Sequence, residues 1–229
     1  MLRSEVNAAQ RHAVALLQEL RFAPPPWVTW TPGEWDAQPE VAAYCRARQM
    51  GWDVTNFGSG DFARRGLLLV CTRNGRPGVP SDVPYAEKVL LVGEGQETPL
   101  HTHHHKTEDI IHRGGGVLVL ELALVTPQGE VRDVPAPVLT DGRVRHVPPL
   151  APLALHPGES ITLRPGTYHR FYARPGGGPV LAGEVSAVND DLHDNVFLEA
   201  VGRFPPVEPD EAPLYPLWSE VGGGDGGAP

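Results

Sequence analysis

From residue 66 to residue 188, glycine and proline cut the chain into short runs rich in β-branched and aliphatic residues, at 67–72, 87–92, 117–124, 160–163 and 180–188. Runs this short, bounded by turn-forming residues, are too brief for long helices and predict a mainly β domain. The abundance of turn formers agrees, since 26 Gly and 25 Pro suit many strands joined by tight connections. Residues 125–152, rich in Pro and polar groups, read as a hairpin plus loop between two halves of one barrel.

The N-terminal region has a different period. Val6, Ala13, Val14, Leu17 and Leu20 recur at helical spacing, so an amphipathic helix is expected over the first twenty or so residues, with Ser4 as its cap. After the Pro24-Pro25-Pro26 break, Thr31-Pro32-Gly33-Glu34 has the form of a capping box with Pro at the first helical position. A third helical piece, from 39 to about 50, is expected to stop at Gly51. The reading is therefore one domain over 1–221, with helices about 4–50 packed outside it, and a disordered Gly-rich tail at 222–229.

Charge and apolar content exclude several partners. No run approaches the ~20 apolar residues that span a bilayer, and the first residues lack the apolar stretch of a secretion signal, so a cytoplasmic protein without a membrane partner is expected. A net charge of −9 with scattered basic residues gives no positive face for nucleic acid and points to a small, uncharged ligand. Cys45 and Cys71 have no spacing that suggests a disulfide framework or a zinc knuckle, and read as buried thiols.

The chemistry is concentrated between Gly95 and Gly115, in Gly95-Gln96-Glu97-Thr98-Pro99-Leu100-His101-Thr102-His103-His104-His105-Lys106-Thr107-Glu108 and its continuation. Alternation along a strand puts His101 and His103 on one face, where two imidazoles converge on one ion. Glu108 follows a short connection, and His169 supplies a fourth ligand from a distant strand. Taken singly, each histidine reads as a solvated or hydrogen-bonded residue. Three His and one Glu at these intervals, bracketed by glycines, read as a metal site. His104 points to the opposite face and His105 exceeds the ligand set. Three imidazoles and a carboxylate suit a divalent ion such as Mn, Fe, Co, Ni or Zn and leave positions open for substrate oxygens.

The spacing of Gly95, His101, His103, Glu108 and Gly115 matches the first cupin motif at every fixed position. Gly158, Gly166 and His169 match the second, which departs at Pro165, one place late, and at Ala173, where Asn is usual. The resemblance implies a cupin barrel, a double-stranded β-helix of jelly-roll type. Cupins include isomerases, dioxygenases and inert storage proteins, so the fold alone does not fix the reaction.

A closer likeness covers nearly the whole chain, from residue 3 to about 215. Gly51-Trp52-Asp53-Val54-Thr55-Asn56-Phe57-Gly58-Ser59-Gly60-Asp61-Phe62, Tyr85-Ala86-Glu87-Lys88, Glu108-Asp109-Ile110-Ile111, Gly183-Glu184-Val185-Ser186, Asn189-Asp190-Asp191, Asp194-Asn195 and Gly202-Arg203-Phe204-Pro205 resemble the D-lyxose isomerase family. The resemblance implies interconversion of D-lyxose and D-xylulose, with D-mannose and D-fructose as secondary substrates, by a manganese-dependent homodimer. In such a reaction a proton leaves C2 and returns at C1 while the ion stabilises charge on the adjacent oxygens. Glu184 is the expected base, Lys106 the group that stabilises or protonates the substrate oxygen, and Lys88 a residue that shares this role or helps open the ring. By resemblance, Asp190, Asp194 and Arg203 contact sugar hydroxyls. A cupin dioxygenase using iron or nickel and a non-catalytic sugar-binding cupin remain the competing readings. A cupin acting on sugar phosphates lacks a phosphate-cradling glycine loop here, Arg113-Gly114-Gly115-Gly116 being read as a turn between strands.

Overall fold

A computed structural model describes residues 1–222 of the chain. It opens with α1 (Arg3–Glu19), α2 (Pro32–Asp36) and α3 (Pro39–Arg46), followed by strands β1 (Gly51–Thr55), β2 (Leu67–Arg73), β3 (Tyr85–Val92), β4 (His101–His103), β5 (Glu108–Gly115) and β6 (Leu118–Leu124). The hairpin β7 (Ala136–Thr140) and β8 (Arg143–Val147) occupies the Pro-rich interval, and β9 (Leu153–Leu155), β10 (Ser160–Leu163), β11 (Thr167–Ala173), β12 (Val180–Ala187) and β13 (Asn195–Phe197) complete the chain.

The strands form two antiparallel sheets, a larger one in the order β1-β2-β3-β12-β5-β10-β7-β8 and a smaller one in the order β13-β4-β11-β6-β9. Their facing sides share one apolar core, with Leu69, Leu90 and Ile110 from the larger sheet and Leu120, Leu122 and Phe171 from the smaller. Part of the larger sheet is buried on its outer side too. There α1 lays Val6, Ala13 and Leu17 onto Trp52, Val70, Leu91 and Leu181. Burial on both faces explains why β2 reads as an unbroken apolar run, since neither set of alternating side chains meets water.

Several boundaries differ from expectation. Helix α1 is capped by Glu5, whose carboxylate accepts the Leu2 N–H at 2.8 Å. Ser4 lies inside the first turn and donates its hydroxyl to Asp210 at 2.5 Å, because the C-terminal segment packs beside it. The Thr31–Glu34 capping box is present, with the Thr31 N–H and hydroxyl both donating to Glu34 at 2.7 Å. Helix α3 ends at Arg46, and Gln49, at φ 52°, turns the chain before Gly51, which is itself at a positive φ of 135°. Gly51 instead begins β1, where a Cβ would lie 3.1 Å from that of Trp218. Within the expected tail, Gly222 sits in a turn against Ala42, and the remaining residues lie outside those described.

The departure from the second motif has a local explanation. Arg164-Pro165-Gly166-Thr167 closes as a β-turn, Thr167 N–H donating to Arg164 O at 3.0 Å with Gly166 at φ 84°. Proline second and a positive-φ glycine third are the requirements of a type II turn, so the displaced proline serves the geometry that delivers His169 to β11. Gly115 is constrained more tightly. Its φ is 91° and an added Cβ would stand 2.2 Å from Pro179 O, at the crossing from β5 to β12. Gly115→Ala is expected to lower unfolding free energy by at least about 2 kcal/mol in urea titrations, backbone strain and collision acting together. Gly129→Ala, at φ 85° with open space around it, should lose only about 1 kcal/mol.

Candidate metal and active site

The site lies between the sheets. Strand register brings its parts together: His169 on β11 stands directly across from His101 on β4, in the smaller sheet. In the larger sheet Lys88 on β3 faces Glu184 on β12, and the next strand presents Glu108 and Ile110 on the same inner side. Lys106 arrives on the loop between β4 and β5, the connection that joins one sheet to the other.

One nitrogen from each of His101, His103 and His169 lies within 4.8 Å of the other two. The Nδ1–H groups of His101 and His169 donate to the carbonyls of Pro99 and Thr167, at 2.9 and 3.1 Å. Because a carbonyl only accepts, each ring keeps its proton on Nδ1 and presents a bare lone pair at Nε2. Glu108 Oε1 lies 3.0 Å from His169 Nε2, and Oε2 lies 3.2 Å from His103 Nε2. The Nε2 atoms of His103 and His169 are buried without a hydrogen-bond partner among the described residues. Acceptors facing acceptors at such distances repel unless a cation lies between them. Ligands about 2.1 Å from a shared divalent ion are themselves separated by about 3–3.5 Å, so the donor set fits a metal.

Electrostatics favour the same species. Burial, reinforced at His101 by the neighbouring His169 and His103, holds the imidazoles of His101 and His103 below the ordinary histidine range, hence neutral and able to ligate. Burial alone would raise Glu108, but Lys106 foremost, then His103, hold its carboxyl well below the usual carboxylate range. The Lys106 ammonium lies 2.8 Å from Glu108 Oε2 and 2.8 Å from Glu184 Oε1. These two carboxylates and Asp191 outweigh its burial and keep it firmly protonated. Lys88 Nζ lies 3.5 Å from Glu184 and 3.5 Å from Asp191.

The structure redistributes the expected sugar-contacting residues. Asp190 turns away from the cleft: its carboxylate accepts the Leu192 N–H at 3.2 Å and contacts the exposed His193. Asp191, its neighbour, lines the cleft instead, where Lys88 and Arg203 overcome its burial and hold it strongly ionised. Asp194 serves the loop, accepting the N–H groups of His105 and Lys106 at 2.9 and 3.3 Å and standing 3.5 Å from His103 Nδ1. Arg203 does line the cleft, ion-paired with the buried Asp53 of β1 and 3.8 Å from Asp191. His104 and His105 are exposed, outside the cluster. Sequence reasoning missed Asp191 and Asp53. The alternation Trp52, Val54 outward and Asp53, Thr55 inward was the available sign for Asp53.

The fold is shared with solved sugar isomerases of low sequence identity. L-ribose isomerase from Acinetobacter sp. DL28, in complex with L-ribose, superposes with a TM-score of 0.61 at 17% identity, covering 90% of this chain and 97% of that one. The Cellulomonas parahominis L-ribose isomerase with L-psicose gives 0.60 at 18%, covering 90% and 98%. Sequence relatives are much nearer. A D-lyxose/D-mannose isomerase of Escherichia coli O157:H7 is 42% identical over 224 residues, 96% of this chain and 98% of that protein. One from Serratia proteamaculans is 44% identical over 200 residues, 86% and 87% respectively. With the D-lyxose isomerase profile also matching residues 1–221, the chain belongs to the D-lyxose isomerase family.

Proposed function

We propose that the protein interconverts D-lyxose with D-xylulose, and D-mannose with D-fructose, with a divalent ion, manganese first among the candidates, held by His101, His103, Glu108 and His169. The observation that carries this reading is the buried Glu184–Lys106–Glu108 chain, which sets a carboxylate and an ammonium beside the histidine cluster at 2.8 Å contacts. D-lyxose and D-mannose have the same configuration at C2, C3 and C4, so one set of contacts at the reacting end serves both.

When bound, the ion supplies Lewis-acid stabilisation to charge developing on the sugar oxygens. Glu184 takes the proton from C2 of the open-chain aldose and returns it to C1, completing the transfer without net consumption of a base. Lys106, held protonated by its carboxylate neighbours, donates a hydrogen bond to O1 as it gains charge, and the O2 hydroxyl proton passes to O1 as C2 becomes the carbonyl, which balances the transfer. Lys88 keeps Glu184 oriented from the opposite strand. Arg203 and Asp191, at the cleft wall, are placed for the remaining hydroxyls.

Glu184→Gln is expected to lower turnover by about 10²–10⁴-fold, the range for losing a positioned base, while metal content measured by mass spectrometry stays unchanged. Full activity in that variant would remove Glu184 from the mechanism. In deuterated water, product recovered after turnover should carry solvent deuterium at C1 of the ketose; product without label would replace proton transfer with a hydride shift. Chelation should abolish ketose formation from D-lyxose, with Mn²⁺ restoring it.

The histidines also set a pH dependence for the metal-free chain. Their folded affinity for protons lies below the ordinary 6.5, so below that pH the unfolded chain binds more protons and stability falls with acidification. The melting temperature of the chelated protein should therefore drop from pH 7 to pH 5. Replacing His101 by Gln should flatten that slope.

A further inference from the structure

Two connections leave the larger sheet at the same end. Strands β2 and β12 both run antiparallel to β3, which lies between them, so Asn74 after β2 and Asn189 after β12 meet beyond the start of β3. The Asn189 N–H donates to Asn74 Oδ1 at 2.9 Å, and Asn74 Nδ2 donates to Asn189 O at 2.9 Å and to Arg48 O at 2.8 Å. Both amide hydrogens and the oxygen of Asn74 are thereby engaged in one orientation, since a flipped amide would set its oxygen against two carbonyls. Asn74 is 2% exposed and Asn189 1%. The next residue fixes the approach of the two segments: a Cβ on Gly75 would lie 1.9 Å from Val83 O and 3.0 Å from Val188 Cγ2.

This pairing leads to the cleft. From its fixed backbone Asn189 donates Nδ2–H to Asp191 Oδ2 at 2.8 Å, while Gln49 Oε1 accepts the Asp191 N–H at 3.3 Å. Oδ2 is held from the loop side, and Oδ1 is the oxygen that stands 3.5 Å from Lys88 Nζ and 3.8 Å from Arg203 Nη2. Asp191 lines the cleft, and the two asparagines stand behind it. A side chain on a connecting segment keeps a fixed place only if such supporting contacts lock it, and a displacement of about 1 Å is enough to lose a contact to bound substrate.

We propose that Asn74 and Asn189 are a positioning pair for sugar binding, which holds Asp191 rather than Asp190 in the cleft and acts on the reaction through Asp191. The inference rests on the reading of Asp191 as a contact for a sugar hydroxyl. Neither asparagine touches the reacting atoms.

Steady-state kinetics of the Mn²⁺-loaded enzyme on D-lyxose test it. Asn74→Ala and Asn189→Ala should each raise KM about 10-fold, the scale of losing a hydrogen bond to a charged group, with kcat changed by less than about threefold. A merely structural role would do the reverse, because partial unfolding removes active molecules and lowers apparent kcat while the folded remainder keeps its KM. Asp191→Asn should raise KM at least as much, and adding Asn74→Ala to it should raise KM no further, since residues acting through one group are not additive. Should Asn74→Ala fail to fold, Asn189→Ala carries the same comparison, because it deletes the contact to Asp191 and leaves the Asn74 pairing with the backbone in place. Additive increases in the double variant, or an unchanged KM in the asparagine variants where Asp191→Asn raises it, would overturn the positioning pair. An unchanged KM in Asp191→Asn would instead remove Asp191 as a sugar contact, and the inference with it.

Discussion

The site is organised around one buried ammonium. Lys106 is almost fully withdrawn from water and lies between Glu108 and Glu184, which belong to different strands of the larger sheet. A charge in such surroundings is tolerated only with close partners, and removing either carboxylate would leave it with a single 2.8 Å partner. Its loop is fixed in turn by Asp194, whose carboxylate collects two successive N–H groups. Through Lys106 the carboxylate chain of one sheet is tied to the segment bearing His101 and His103 in the other. The relative placement of the histidine cluster and Glu184 follows from that tie.

Buried ionic networks of this kind contribute little net stability, because desolvation offsets much of the Coulombic gain. The fold must be held elsewhere. Two apolar layers do so: the core between the sheets and the layer between α1 and the outer side of β1–β3. Strands β2 and β3 take part in both, and β3 carries Lys88 toward the cleft while Val89 and Leu91 face the helix. The helices, remote from the chemistry, thereby brace the sheet on which half of the site is built. Rigid elements of this type keep catalytic groups at fixed separations.

The clustering of His101, His103, Glu108 and His169 was legible because spacing within a strand and across one short connection encodes most of it. His101 and His103 share a face by alternation, and Gly95 and Gly115, both at positive φ, mark turns before His101 and at the end of the strand that begins with Glu108. Lys106 and Glu184 were legible as charged residues beside ligands or within apolar strands. The wall residues were not. In Asn189-Asp190-Asp191 both acids have the same local chemistry, and the bend after β12 sends Asp190 to His193 and Asp191 to Lys88. Short strands such as β1, β9 and β13 were also hidden, since their few residues take strand form only by pairing with longer neighbours.

What the sequence alone determined is the character of the protein: short strands separated by Gly and Pro, helices at the start, a three-histidine and carboxylate set at motif spacing, and the family that carries it. These are local or periodic features, fixed by steric rules within a few residues. Only the tertiary structure decided which acid of a neighbouring pair enters the cleft, that Asp53 and Arg203 pair across 150 residues, and which side of the larger sheet α1 leaves open. Those outcomes depend on strand register and on the packing of segments distant in the chain, and no local pattern encodes either.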